Sequence, residues 1–552
     1  MRSYNTIATT VLTLSGLAAC NGPPDATMAD WILTNGQVLT VDADFNIVQA
    51  FAIKDDRILA VGSDDAIMAL AGFGTERTDL AGRTVVPGLI DNHMHFVRAT
   101  QQWYRHVRWD GINSRAQALE LVKERARTLP EGEWVVVIGG WTFTQFHDNN
   151  ALFTVAELDE VSPDIPVYIQ EGYRRGFANS AALRAAGVTR NTVYPGRTSL
   201  VKDNAGNLTG EIVGGAMALV TDHIPGVADD VWDMSLQQTV RSLNRMGLTT
   251  VYDVGGNSVT PAHYDSVRRA ATNDDLSLRV FYSLNGQTGV GGGSADEIIA
   301  ALQSLNPDLA GLRFAQFGYG ETVYRPMRAQ PWRVSQSDLN RFKAIAIAAA
   351  ENGWQLHEHS QRDEKIRDML SVFEIVDRTH PVGELRWTIA HNDGISADSV
   401  LRAIDLGMVF AVHASRRNVS QERVRSAGEP GLHMPPIRTI HDLGGIWGLG
   451  SDATTVASPN PFHTLGWAVS GRSASGVQTL VETVSREVAL TAHTRTNAYI
   501  LFREDDLGSL EPGKLADFVV LDRDYMTVPE AEIENLRSVM TVVAGEIAYS
   551  EL

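Results

Sequence analysis

Two histidines one residue apart close the apolar run Val85-Val86-Pro87-Gly88-Leu89-Ile90-Asp91-Asn92-His93-Met94-His95-Phe96, and no other stretch constrains the fold as much. Alternate side chains of a strand share a face, so His93 and His95 point to one side, where they can share a cation, and Met94 points to the other. Pro87 and Gly88 force a turn that sets where the strand begins. An isolated His-x-His is more often a chance surface or core pair than a metal site, so the reading depends on partners further along the chain.

Those partners sit at the ends of later strand-like runs. Trp354 to His359 ends in His359, Leu385 to His391 ends in His391, and Gly445 to Asp452 ends in Asp452. Between them lie helical stretches such as Asp338 to Glu351, rich in alanine and isoleucine at helical spacing. Strands alternating with helices in this way predict an α/β fold, a TIM-type (β/α)8 barrel, in which the C-terminal ends of all strands converge on one site. His93, His95, His359, His391 and Asp452 can then meet although hundreds of residues separate some of them. Histidine and carboxylate donors without cysteine suit zinc, and also manganese or iron, so the expected cofactor is a divalent metal, zinc first, as one ion or two.

The chain ends differ in character from the middle. Short β-branched runs separated by Asn-Gly and Asp-Asp turns follow Trp31, and similar runs return at Ala516 to Asp522 and Val539 to Ile547. Two such segments at opposite ends predict one small β-sandwich domain built from residues 30–86 and 508–552, with the barrel over 87–507. Residues from about 100 to 245 exceed what a barrel needs there and predict an inserted subdomain. Gly289-Val290-Gly291-Gly292-Gly293 lacks the Lys-Ser/Thr of a phosphate loop, and Gly513-Lys514 is followed by Leu515, so neither supports nucleotide binding.

With 552 residues, 44% of them hydrophobic and 20% charged, the chain can bury a sizeable core and spread over more than one domain. The formal charge of −19 argues against nucleic acid as a partner, since phosphate contacts need basic surface. Residues 1–20 carry Arg2, a mildly apolar stretch from Ile7 to Leu17, and then Ala18-Ala19-Cys20, the layout of a secretory signal. Leu17-Ala18-Ala19-Cys20 resembles the bacterial lipoprotein processing box, and Cys20 is the only cysteine in the sequence. The resemblance implies export, lipidation of Cys20 and attachment to a membrane facing the periplasm. Asn21 after the cysteine favours the outer membrane, and residues 21–29 would be a tether.

The motifs Pro87-Gly88-Leu89-Ile90-Asp91-Asn92-His93-Met94-His95, Asn179-Ser180-Ala181-Ala182-Leu183, Gly450-Ser451-Asp452-Ala453, Ala457-Ser458-Pro459-Asn460-Pro461 and Gly508-Ser509-Leu510-Glu511-Pro512-Gly513-Lys514-Leu515-Ala516-Asp517 make nearly everything after residue 30 resemble the amidohydrolase superfamily, in its amidohydrolase family 3 branch. The resemblance implies that His93 and His95 bind a first metal with Asp452, while His359 and His391 complete a second site or touch substrate. Matching Gln355 and Asp363 to the family pattern selects His359 over His357. Two departures stand out. Arg313 occupies the expected place of a carbamylated lysine, where a guanidinium cannot bridge two metals, and Glu321 nearby is a candidate substitute. Glu171-Gly172-Tyr173-Arg174 replaces a Gly-His pair, with Tyr173 or Arg174 available to a substrate.

The chemistry implied is hydrolysis of a C–N bond in an amide-like or cyclic amide small molecule by metal-activated water. Asp452 carries the proton, and His391 or His359 stabilises the oxyanion. The alternatives are a mononuclear deaminase or another hydrolase of the superfamily, and a non-catalytic ligand-binding lipoprotein. A homo-oligomer is compatible with either.

Overall fold

Eight short runs of mostly buried residues form the strands of a parallel sheet in the computed structural model, which describes residues 28–552 except 196–198, 257–258, 287–292 and 329–332. Cys20, the signal-like segment and all but the last residues of the tether lie outside the described residues, as do Gly289 to Gly292. The strands are β1 (Leu89–Met94), β2 (Leu248–Asp253), β3 (Arg279–Leu284), β4 (Phe314–Glu321), β5 (Gln355–Arg362), β6 (Thr388–Gly394), β7 (Val409–His413) and β8 (Trp447–Gly450), each paired with its sequence neighbour. Burial on both faces explains why they read as continuous apolar runs without alternation.

Closure of the barrel is made just beyond the strand ends, where the Asp452 amide donates to the His93 carbonyl at 2.8 Å and the His95 amide to the Ala453 carbonyl at 2.8 Å. Deeper, Asn497 Nδ2 donates to the carbonyls of Ile90 and Leu449 while its Oδ1 accepts from Asn92 Nδ2. A β8 side chain at Gly448 would fall 1.9 Å from Asn497 Oδ1, so the clamp requires glycine there. The barrel is therefore a TIM barrel, with helices such as Gln336–Glu351 and Asp363–Asp377 packed outside it.

Sheets made by the chain ends flank the barrel. A four-stranded sheet joins Arg57–Gly62, Ala50–Lys54, Ala29–Thr34 and Ala71–Asp79, and a six-stranded one joins Glu546–Ser550, Ser538–Val543, Phe518–Leu521, Thr84–Pro87, Gln37–Leu39 and Ile47–Val48. Their shared core includes Trp31, Phe51, Val85, Phe518 and Val542. Between β1 and β2, a five-stranded sheet from Val135–Ile138 to Leu208–Val213 carries its own aromatic core of Trp109, Trp141, Phe143, Phe153 and Phe177. Among the described residues no helix is long and apolar enough to cross a membrane.

Three histidines outside the strand ends whose ring nitrogens are shielded from solvent bear on stability. Burial pushes His106 down to about 3, helped by Arg108, His463 down to about 3, helped by Arg417, and His493 down to about 4. The unfolded chain takes up these protons near pH 6.5, whereas the folded chain does not until about pH 3 to 4, so stability is lost as pH falls through that window. At pH 5.5 the loss is about 1.4 kcal/mol per histidine, or about 4 kcal/mol for the three together. Urea unfolding at pH 7 and 5.5 tests it by difference: His463→Gln is expected to shrink the parent's loss by about 1.3 kcal/mol, and an unchanged pH dependence in that variant would show that its imidazole does not titrate on unfolding.

Candidate metal centre and active site

The C-terminal ends of β1, β4, β5, β6, β7 and β8 bring six histidines and two carboxylates together. His95 Nε2 lies 3.4 Å from Asp452 Oδ1 and 3.8 Å from Glu321 Oε2, and His93 Nε2 lies 3.8 Å from Asp452 Oδ1. Across the barrel His391 Nε2 is 3.3 Å from Glu321 Oε1 and His391 Nδ1 is 3.9 Å from Asp452 Oδ2, while His359 Nδ1 contacts Glu321 Oε1 directly. All five of the sequence-derived ligand candidates thus face one space. Because β5 alternates, His357 and His359 both point inward, His359 toward the mouth and His357 below it, where its Nε2 lies 2.9 Å from His93 Nδ1.

Two of the participants need correction against the sequence reading. Arg313 precedes β4 at the opposite end of the barrel, where its carbonyl accepts from the Val280 amide and its charge faces Arg279 and Asp517, so it does not occupy the bridging position. The β4 residue of the site is Glu321, eight positions later in sequence. His413, at the end of β7, is a further member that the sequence reading lacks; its Nδ1 lies 3.1 Å from His391 Nδ1 and its ring, tilted by 46°, is centred 3.9 Å from that of His93. The signal was present as Met408-Val409-Phe410-Ala411-Val412 ending in a histidine, the same pattern as the other strands.

Neighbouring groups orient these side chains. His95 Nδ1 donates to the Gly255 carbonyl at 2.7 Å, which leaves Nε2 with its lone pair directed at the carboxylates. The Gly255 turn is itself held by Asp253, whose oxygens accept from the Gly255 and Val97 amides. Asp91 accepts from the Ser451 amide, the Ser451 hydroxyl and the His93 amide, locking β1 to β8 beneath the site. His391 and Asp452 both take left-handed backbone, with φ of 75° and 61°, a conformation that costs an ordinary residue about 1–2 kcal/mol and clusters at functional positions.

Burial sets the protonation. It holds His93 and His413 well below the usual imidazole range and brings His357 to about 3 and His359 to about 4, so these rings are neutral near pH 7. Burial alone would raise Glu321, but His359, His391 and Arg328 hold it well below the usual carboxylate range, and His95 and His391 likewise outweigh burial to lower Asp452. Neutral imidazoles beside ionised carboxylates are the forms that ligate divalent cations. Nitrogen and oxygen donors from four triads approach within 4.8 Å of one another: His93, His95 and Asp452; His93, Glu321 and His391; His391, His413 and Asp452; and His93, His357 and His413. His93 Nε2, His357 Nδ1 and His413 Nε2 are buried without a hydrogen-bond partner, a cost that a bound cation relieves. The residues present fit a divalent metal.

Above the donors opens a cavity of about 380 Å³ lined by Arg98, Tyr173, Arg328, Gln361, Ser415 and Arg416 together with the site residues. Tyr173, in the turn between strands Val167–Glu171 and Arg175–Ala178 of the inserted sheet, reaches this cavity, whereas Arg174 pairs with Glu422 and Glu171.

The chain is similar to known proteins at low identity. The chain is 27% identical to the protein LONG AFTER FAR-RED 3 of Arabidopsis thaliana, over 90% of this chain and 88% of that protein, and 26% identical to the N-substituted formamide deformylase of Arthrobacter pascens, over 95% and 98%. A crystal structure of an uncharacterized metal-dependent hydrolase from Pyrococcus horikoshii OT3 superposes with a TM-score of 0.63 at 18% identity, covering 91% of this chain and 99% of that one. Residues 76–549 match the amidohydrolase family, from the strand Ala71–Asp79 to the last strand, and the chain is a member of the amidohydrolase family, a metal-dependent hydrolase.

Proposed function

We propose that the protein hydrolyses a C–N bond in an amide-like or cyclic amide small molecule, with zinc as the divalent metal. The observation that carries this reading is the meeting of His93, His95, Glu321, His359, His391 and Asp452 at one end of the barrel, a donor set of imidazole and carboxylate without sulfur. A deformylase among the relatives, whose name specifies an N-substituted formamide, supports a C–N bond as the target.

His93, His95 and Asp452 would hold one ion, and Glu321 with His359 and His391 would hold a second or share the first. When bound, such a cation lowers the pKa of a water toward neutrality and so supplies a nucleophile. Asp452, ionised and facing the cavity, takes the proton released on attack and returns it to the leaving nitrogen. His391 and His359 face the same space, and whichever of them does not hold a cation would donate to the charge developing on the carbonyl oxygen. Arg328 Nη1, 3.4 Å from Glu321 Oε2, keeps that carboxylate ionised and turned inward.

Metal content tests the reading. A soluble form beginning at Asp25, purified without chelator, is expected to carry one or two equivalents per chain, and His93→Ala with His95→Ala is expected to lose at least one while keeping its circular dichroism. No binding after reconstitution with zinc or manganese would overturn the hydrolase mechanism and favour a ligand-binding role.

A further inference from the structure

The catalytic donors do not explain the positive charge at the mouth of the cavity. Three guanidinium groups line it, from Arg98, Arg328 and Arg416. Arg416 is spent on Asp393, with Nε 2.6 Å from Oδ1, and Arg423 adds a second contact to the same carboxylate at 3.3 Å. Arg328 is committed to Glu321 and to the Thr322 hydroxyl at 3.1 Å. Arg98 differs from both. Among the described residues it makes no direct ion pair, its charge reaching only the buried Asp253 from a distance, and its Nη2 is buried without a hydrogen-bond partner. The contact it does make is with the face of Tyr173, 5.9 Å from the ring centroid.

Its position ties it to the reaction centre. Arg98 lies on the short helix Phe96–Thr100 that directly follows His95. A methyl group placed on Gly256 would sit 3.0 Å from His95 Nδ1 and 3.6 Å from Arg98 Nη1, so the guanidinium stands beside the ring of a metal-ligand candidate. A half-buried cation with an unpaired donor is costly unless an anion completes it, and the planar fork matches a carboxylate. A second cavity, of about 340 Å³, shares Tyr173, Val419 and Val456 as a common wall with the first and continues toward Trp141 between the inserted sheet and the barrel. Its surface is mainly apolar, so it suits a hydrocarbon or aromatic arm.

We propose that Arg98 is a specificity-determining residue that binds a carboxylate on the substrate, and that the substrate is an amide with a carboxylate close to the scissile bond on one side and an apolar arm, received along Tyr173, Val419 and Trp141, on the other. This rests on the hydrolase reading above but concerns binding, so it is tested separately from turnover.

The ligand pair is 3-benzoylpropionate, in which a methylene replaces the scissile nitrogen of hippurate, and its neutral primary amide. Calorimetric titration of the metal-loaded protein is expected to show the carboxylate binding about 10- to 100-fold more tightly than the amide. Arg98→Met is expected to abolish that difference, and Arg98→Lys to retain part of it and to show that the site still folds. Equal binding of the two ligands, or a carboxylate preference that survives Arg98→Met, would overturn the proposal, the second result placing the carboxylate on the metal instead. Hippurate and hippuramide then report turnover: a carboxylate preference in binding with neither compound hydrolysed would leave the Arg98 subsite standing and count against the catalytic reading.

Discussion

Replacing Asp452 by asparagine is expected to lower kcat for the proposed amide hydrolysis by about 10²- to 10⁴-fold, the range that a positioned general acid and base contributes. Asparagine is the informative replacement because it removes the proton chemistry while leaving the backbone and packing in place. Its side chain has the same shape, it tolerates the left-handed backbone found at φ 61°, and the amide of residue 452 still donates to the His93 carbonyl that closes the barrel. The loss of negative charge weakens metal binding as well, so turnover is to be measured at saturating metal with occupancy read directly. Near-normal turnover in a metal-loaded Asp452→Asn protein would show that another group moves the proton. The protonation of Asp452 sets the sign of the pH dependence. With its carboxyl lowered by His95 and His391 against burial, the active ionised form persists at neutral pH and is lost only as the medium becomes strongly acidic.

The largest expected effect on stability lies at the other end of the barrel. Asp517 closes the Gly508 to Asp517 motif, and its carboxylate takes both prongs of Arg279 from the start of β3, at 2.8 Å and 2.9 Å, while the Ala544 amide donates to the same carboxylate at 2.7 Å. Arg279 also donates to the Leu312 carbonyl, and both side chains are almost wholly buried. Asp517→Ala leaves the guanidinium inside without a counterion and is expected to cost about 3–5 kcal/mol. Adding Arg279→Met in the same chain is expected to recover part of this, because the penalty arises mainly from the stranded charge. Urea unfolding of the two variants decides the matter; a single variant as stable as the parent would mean that water or relaxation compensates for the charge. The pair joins the floor of the barrel to the sheet built from both chain ends, which gives the motif a structural purpose apart from the chemistry.

Much of the site was legible because parallel barrel strands are buried on both faces and end where ligands begin. An apolar run closed by histidine or aspartate is therefore a readable sign, and it identified His93, His95, His359, His391 and Asp452, all of which the tertiary structure brings to one space. The same sign was overlooked at His413. It failed for a physical reason at β4, where Phe317-Gly318-Tyr319-Gly320 reads as a turn rather than as strand interior. The glycines are there because the barrel wall is crowded: a side chain at Gly318 would fall 1.8 Å from Tyr252 Oη, and one at Gly320 would fall 1.8 Å from the His357 carbonyl. With the strand taken to end near Ala315, Arg313 was placed at the position that Glu321 occupies.

What the sequence by itself determined was the barrel, the two-ended β domain and most of the residues that meet at the strand ends, since each rests on local periodicity and on residues adjacent in the chain. Which strand residue reaches the mouth was decided only by tertiary structure, because the end of β4 is set by its pairing with β5, from Gly318 opposite Gln355 to Glu321 opposite Glu358. The same holds for the environment of Arg98: its charge is visible in the sequence, but whether a carboxylate answers it depends on residues from β2, β4 and the inserted sheet that only folding brings within a few ångströms.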